Sequence, residues 1–119
     1  FYPPAKGAVT RHYDAGKTSY GIEIQTARRA AASAVLDGSV VSVSYTIENG
    51  YVVILQHNNN YMSIYRNNIE VLRKEGDVVE AGEKIAIIGL PGDNGNGAVA
   101  EFELWHSGIP LDPEKHIVF

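Results

Sequence analysis

An all-β fold of the sandwich or barrel-like kind is predicted for this 119-residue chain by three observations. Runs of β-branched and aromatic residues recur at short spacing, and turns rich in Gly, Asn and Asp separate them. Residues 21–26 alternate apolar and polar side chains, which is the period of a half-buried strand. Only the Ala-rich stretch 27–35 is a helical candidate. The length suits one domain, residues 1–119, with a core of its own.

A central hairpin is the clearest local prediction. Residues 39–45 and 51–56 are β-branched and aromatic runs, and Asn49-Gly50 lies between them. Asn-Gly in this setting predicts a type I′ turn, which needs positive φ at both positions. A third strand, 61–65, follows the polar turn Asn-Asn-Asn.

The second half of the chain continues with strands and turns. Residues 74–89 contain two Gly-centred turns followed by a strand that reads as buried. Residues 91–97, which are rich in Gly and Asn, are predicted to be a long loop. Residues 98–105 are predicted to be the last substantial strand.

Composition excludes several classes of protein. The net charge of −4 is not that of a nucleic-acid binder, which usually shows a basic face. No apolar run is long enough to span a membrane. Without cysteines there is no disulfide framework and no Cys-based metal site. The chain starts with Phe1, which we interpret as the start of a processed or trimmed fragment.

The stretch 100–113, AEFELWHSGIPLDP, resembles the closing stretch of the lysostaphin-type (LytM) zinc endopeptidases. In that family a His-x-His pair immediately precedes Phe-Glu-Leu. Further pieces match in the family's order, among them GIEI at 21–24 and AVLDGSV at 34–40. The resemblance covers nearly the whole chain and implies the antiparallel β fold of LytM domains. It also implies that stretch 27–35 is loop and strand, because a strand there enters the Asp-Gly turn.

The resemblance breaks at the catalytic positions. Active members place zinc on three side chains, and the positions implied here carry Ser19, Glu23 and Glu101. Two further histidines of the family handle the attacking water, and Arg66 and Val99 stand in their places. Catalytic zinc needs three His or carboxylate ligands and an open position for water. Arg66 stays protonated and Val99 cannot carry a proton. We therefore predict an inactive relative with no catalytic residue, no metal and no cofactor.

The altered pocket has two interpretations. In the first, Arg66 replaces the charge of zinc and bridges Glu23 and Glu101; in the second, Arg66 points to solvent and the glutamates are separately hydrated. Two neighbouring carboxylates are expected to raise the pKa of one of them. Four aromatic residues are candidates either for a binding groove or for the core: Tyr20, Tyr61, Tyr65 and Trp105.

The family resemblance implies a module of the bacterial cell envelope, periplasmic or extracellular. Its expected role is to bind or regulate cell-wall hydrolases, notably N-acetylmuramoyl-alanine amidases, or to bind peptidoglycan. Two alternatives stay open: a structural module of a larger envelope protein, and an enzyme whose carboxylates hold a harder metal such as Mg²⁺ or Ca²⁺. Residues 76–85 also resemble lipoyl and biotinyl carriers, but the hairpin tip Asn49-Gly50 offers no lysine to modify.

Overall fold

The computed structural model describes residues 1–17, 20–90 and 97–119. In this part of the chain the helical structure consists of 3-10 turns of three residues each, so the all-β prediction is confirmed. The strands are β1 (Ala8–Arg11), β2 (Ile22–Thr26), β3 (Ala31–Ser33), β4 (Gly38–Thr46), β5 (Gly50–His57), β6 (Tyr61–Val71), β7 (Val78–Val79), β8 (Lys84–Ile88), β9 (Ala98–His106) and β10 (Ile109–Leu111). The 3-10 turns are Ala15–Lys17, Asn58–Asn60 and Pro113–Lys115. Among the described residues no helix has the length and apolarity to cross a bilayer.

Every strand pair is antiparallel, and the main sheet has the order β1-β2-β9-β6-β5-β4-β7. Strand β6 is the longest and serves two groups of partners. Its first part lies between β5 and β9, and from Asn68 onward it pairs with β8, which in turn pairs with β3. The change falls at Asn67, which has φ 66°, and at a register shift after Asn68. Such irregularities bend a strand.

The core lies on one face of the main sheet and follows the period of two. In β9 the buried residues are Ala98, Ala100, Phe102 and Leu104, and the residues between them are only partly buried. Ile22 and Ile24 of β2 are fully buried on the same face, and Ile85 and Ile88 of β8 belong to the same core cluster. Positions 99, 101, 103 and 105 therefore project from the other face of the sheet.

The hairpin between β4 and β5 is confirmed, but its turn type differs from the prediction. Thr46 pairs with Gly50, which leaves a three-residue loop instead of two residues. Gly50 has φ 62°, whereas Asn49 is not among the residues with positive φ. The Asn49 amide donates to Thr46 Oγ1 at 3.0 Å. Three-residue loops are the next commonest hairpin connection, and here the left-handed glycine follows the loop as the first residue of β5.

Other predicted elements have mixed outcomes. Stretch 27–35 contains loop and the short strand β3, as expected. The third predicted strand, 61–65, extends six residues further in β6, and the short strand β10 was not predicted. Most of the predicted loop 91–97 lies outside the described residues.

Candidate functional site: a charged row across four strands

Four charged residues form one line across the outward face of the sheet. Strand register sets Arg11 opposite Glu23, Glu23 opposite Glu101, and Glu101 opposite Arg66. Residues directly opposite each other in antiparallel strands lie on the same face with neighbouring side chains. The structure therefore brings together three of the positions singled out in the sequence, Glu23, Arg66 and Glu101. It also adds Arg11, which the sequence analysis missed.

Arg11 supplies the positive charge shared by the two glutamates. Its Nε atom lies 3.1 Å from Glu23 Oε2, and its Nη2 atom lies 3.7 Å from Glu101 Oε1. The Arg11 Nη1 atom also donates to the Gly21 carbonyl at 3.4 Å. Strand β1 pairs with β2, and after a register shift between Val9 and Arg11 this pairing sets Arg11 opposite Glu23. The strand pairing therefore holds the guanidinium beside the carboxylate.

Arg66 has a different partner from the one expected. It donates from Nη1 to Glu103 Oε2, and the other oxygen of Glu103 accepts from Trp105 Nε1 at 2.8 Å. The interpretation that Arg66 bridges Glu23 and Glu101 is therefore wrong, and Arg11 makes that bridge. The alternation of β9 explains the difference, because it puts Glu103 on the same face as Glu101 and diagonal to Arg66.

The pKa of Glu101 is raised, first by burial of its carboxyl group and then by the negative charge of Glu23. A hydrogen bond with Glu23 also raises this pKa, whereas the positive charges of Arg11 and Arg66 lower it. The expectation that crowding two carboxylates raises the pKa of one of them is confirmed. Glu101 is the more enclosed of the two, with its side chain 25% exposed against 33% for Glu23.

Two of the four candidate aromatic residues lie beside this row. The rings of Tyr20 and Trp105 are 6.2 Å apart, and Tyr20 is 42% exposed. Trp105 also lines a cleft of about 240 Å³, whose other lining residues are Gln56, Asn60, Met62, Ser107 and Gly108. We call the charged row together with Tyr20 and Trp105 the groove face; of its aromatic pair, Tyr20 is exposed and Trp105 is half-buried.

The other two aromatic residues belong to the opposite face of the sheet. Tyr65 is buried, its hydroxyl accepts from the Val35 amide at 3.1 Å, and Ser63 Oγ donates to it at 3.0 Å. Burial raises the pKa of Tyr65 above its ordinary range. Tyr61 packs against the core and stacks on His106 at 4.3 Å. Their interpretation as groove residues is wrong, because side chains alternate between the two faces along β6 and residues 61 and 65 lie on the core face.

The residues at this site do not fit a catalytic zinc ion. Both carboxylates already face Arg11, and Arg66 adds a second positive charge that would repel a dication. Val99 offers only its main-chain carbonyl, which accepts from Asn67 Nδ2 at 3.2 Å. Ser19 lies outside the described residues. In the described ranges no group of three or more His, Asp or Glu side chains is placed to hold a metal.

Comparisons with known proteins agree with this fold. The model of Peptidase family M23 matches residues 17–113. The murein hydrolase activator NlpD of Escherichia coli K12 is 30% identical over 116 residues, 96% of this chain and 30% of that protein. The murein hydrolase activator EnvC of the same organism is 30% identical over 94 residues, 79% of this chain and 22% of that protein.

A solved structure supports the fold. Helicobacter pylori Csd3, from its hexagonal crystal, superposes with a TM-score of 0.85 at 20% identity, over 99% of this chain and 33% of that one. The present chain spans about 30% of the length of the first curated relatives it matches.

Proposed function

Because the chain belongs to peptidase family M23, we propose that it is a non-catalytic member that binds and regulates cell-wall hydrolases in the bacterial envelope. The relatives named murein hydrolase activators support this role. The proposed partner is an N-acetylmuramoyl-alanine amidase, and the proposed location is periplasmic or extracellular.

The observation that carries the proposal is the pairing of Arg11 with both Glu23 and Glu101. A metal peptidase needs an open cation site and a base that can accept a proton from water. Here a guanidinium faces both carboxylates, and Arg66 and Val99 stand where the family places its water-handling histidines. This arrangement leaves the groove face without a means of activating water.

The same groove is suited to holding a partner segment. Tyr20 and Trp105 present aromatic surface, and aromatic residues dominate the energetic centres of protein interfaces. Trp105 is held by its bond to Glu103, which Arg66 fixes from the other side. Such a pre-ordered anchor lowers the entropy cost of binding. We therefore propose Tyr20 and Trp105 as contact residues for the amidase.

Release of dye from labelled sacculi tests the proposal. The chain alone should release nothing, and the chain added to an amidase of the same bacterium should raise the rate of release. Tyr20→Ala and Trp105→Ala should weaken the activating interaction about tenfold or more, the scale of an interface hot spot. Tyr45→Ala is the control, because Tyr45 is also an exposed tyrosine, 54% exposed against 42% for Tyr20, but lies away from the groove, near the end of the β4–β5 hairpin, against Tyr51.

Two results would contradict the proposal. If the chain alone releases peptidoglycan fragments and a chelator abolishes the release, the chain is an active metal peptidase. Unchanged amidase activity, with no binding in a pull-down of the two purified proteins, would favour the structural-module alternative.

A further inference from the structure

A second cleft, of about 510 Å³, lies between the N-terminal segment and strands β3 and β8. Three of its lining residues are cations, Lys6, Arg29 and Lys84, and no acidic side chain is among the described residues that line it. The chain as a whole carries a net charge of −4, so the cleft reverses the sign of the molecule locally. Clefts lined by one sign of charge concentrate ligands of the opposite sign.

The main chain of β3 offers open hydrogen-bonding groups at this cleft. The Ile88 amide donates to the Ala30 carbonyl at 2.8 Å, and Ala31 pairs with Ile87. In an antiparallel pair of strands, opposite residues alternate between pairs that exchange main-chain hydrogen bonds and pairs that do not. The pair Ala31–Ile87 follows the bonded pair Ala30–Ile88 and is therefore of the second kind. The N–H and C=O of Ala31 therefore point away from β8, and neither has a partner in the described part of the chain.

The N-terminal segment covers one end of this strand edge and leaves the other open. The Ser33 amide donates to the Pro4 carbonyl at 2.8 Å, and the Tyr2 amide donates to the Val35 carbonyl at 2.8 Å. The Tyr2 ring packs against Gly82. A Cβ atom at position 82 would lie only 3.1 Å from the Tyr2 ring. The small side chains of Ala31 and Ser33 leave room above the strand.

The charges of the cleft are available to a ligand. Lys6 and Lys84 are exposed, and neither makes an ion pair within the described ranges. Arg29 faces Glu70 at 3.7 Å, with both side chains more than half exposed, so this weak pair can exchange for a ligand carboxylate.

We propose that this cleft binds an extended acidic peptide segment, which adds to the open edge of β3. A peptide supplies both a donor for the Ala31 carbonyl and an acceptor for its amide, as strand addition requires. Its carboxylates lie against Lys6, Lys84 and Arg29. A small polyanion would use the cations and the amide but would leave the Ala31 carbonyl without a donor. This site is separate from the charged row and independent of the proposed function.

Fluorescence anisotropy with a fluorescein-labelled peptide of alternating Glu and Ser tests the proposal. The double variant Lys6→Gln/Lys84→Gln should bind the peptide about tenfold more weakly than the unmodified chain does. Raising the salt concentration should reduce this difference in affinity between the two proteins. Lys74→Gln/Lys115→Gln is the matched control, because both lysines are exposed and neither lines the cleft. The control variant should bind the peptide as the unmodified chain does.

Two further probes separate strand addition from simple charge attraction. The same peptide with Gln in place of Glu, and the acidic peptide with N-methylated main-chain amides, should each lose at least about tenfold in affinity. Equal binding of either probe would overturn the proposal, as would an unaltered affinity of the double Lys variant. Displacement of the peptide by tripolyphosphate at equal or lower concentration would assign the cleft to small anions instead.

Discussion

Replacing Arg11 with Met is the sharpest test of the charged row. The change removes the guanidinium but keeps an apolar stem of similar length, so packing along β2 is largely retained. Glu23 and Glu101 then face each other with only Arg66 nearby, and Arg66 is already bound to Glu103. The folded state loses two ion pairs, and the repulsion between the two carboxylates is no longer offset by the charge of Arg11.

The expected cost follows from the exposure of the three side chains. Arg11 is 39% exposed, Glu23 33% and Glu101 25%, so solvent screens the pairs substantially. Partly exposed ion pairs contribute roughly 0.2–1 kcal/mol each, which gives a loss of about 1–2 kcal/mol at pH 7 once the repulsion is included. Urea denaturation at fixed ionic strength measures this difference.

The pH dependence gives the effect a second signature. The pKa of Glu101 is raised in the folded state, so at pH values between its unfolded and its folded pKa the folded protein binds more of this proton than the unfolded chain does. This group therefore favours folding below its unfolded pKa and loses that contribution as pH rises through the folded pKa. Removing Arg11 raises the folded-state pKa of Glu101 further. The stability that Glu101 contributes is then lost over a pH range that extends to higher pH. The deficit of the variant should accordingly be largest at pH 7 and shrink toward pH 4.

Two companion variants make the outcome decisive. Glu101→Gln in the Arg11→Met background should recover the part of the lost stability that comes from the repulsion, because it removes one of the two facing carboxylates. Arg28→Met, at an exposed arginine with no ion pair among the described residues, should change stability by less than about 0.5 kcal/mol. A deficit that is the same at pH 4 and pH 7, or that Glu101→Gln leaves unrelieved, would refute the assignment of Arg11 as the shared counter-charge.

Three further changes test the site and the core. Arg66→Met should cost about 1 kcal/mol, and a double-mutant cycle in denaturant should show coupling to Glu103→Gln but much less to Glu101→Gln. Tyr65→Phe should cost about 1–3 kcal/mol in urea unfolding, because the buried Val35 amide loses its acceptor; full retention of stability would argue against that bond. Chelation should leave the thermal transition in place, since a ligand that binds only the folded state raises its melting temperature, and a fall of many degrees would reveal a bound metal.

Much of the fold could be predicted because the strand pattern is local. Alternation in β2 and β-branched runs in β4 and β5 mark those strands without any knowledge of their partners. The turn before Gly50 was harder to predict, because Asn-Gly fits both a two-residue loop and the junction between a three-residue loop and the strand after it. The later part of β6 carries polar residues such as Asn67 and Asn68, and their strand character depends on pairing with β8.

The sequence could predict which residues meet at the site, but not which arginine contacts which carboxylate. The family resemblance placed Glu23, Arg66 and Glu101 together, and strand register does the same. Which carboxylate each arginine contacts depends on diagonal positions across strands, which a linear motif does not contain. Arg11 was missed because its strand is short and lies far from the motif in sequence, although β1 pairs directly with β2.

The period of two in the central strands explains how the chemistry could be lost while the fold was kept. Glu23, Arg66, Val99 and Glu101 all project from the outward face, whereas their neighbours in sequence, including Ile22, Ile24 and Phe102, are buried on the other. Substitutions on the outward face leave the packed core untouched, so they cost stability only through the charges they introduce. The charges here are arranged with arginines at both ends of the row and carboxylates between them, which limits that cost. Under the proposed function, Tyr20 and Trp105 of this altered face supply the contact surface for a partner.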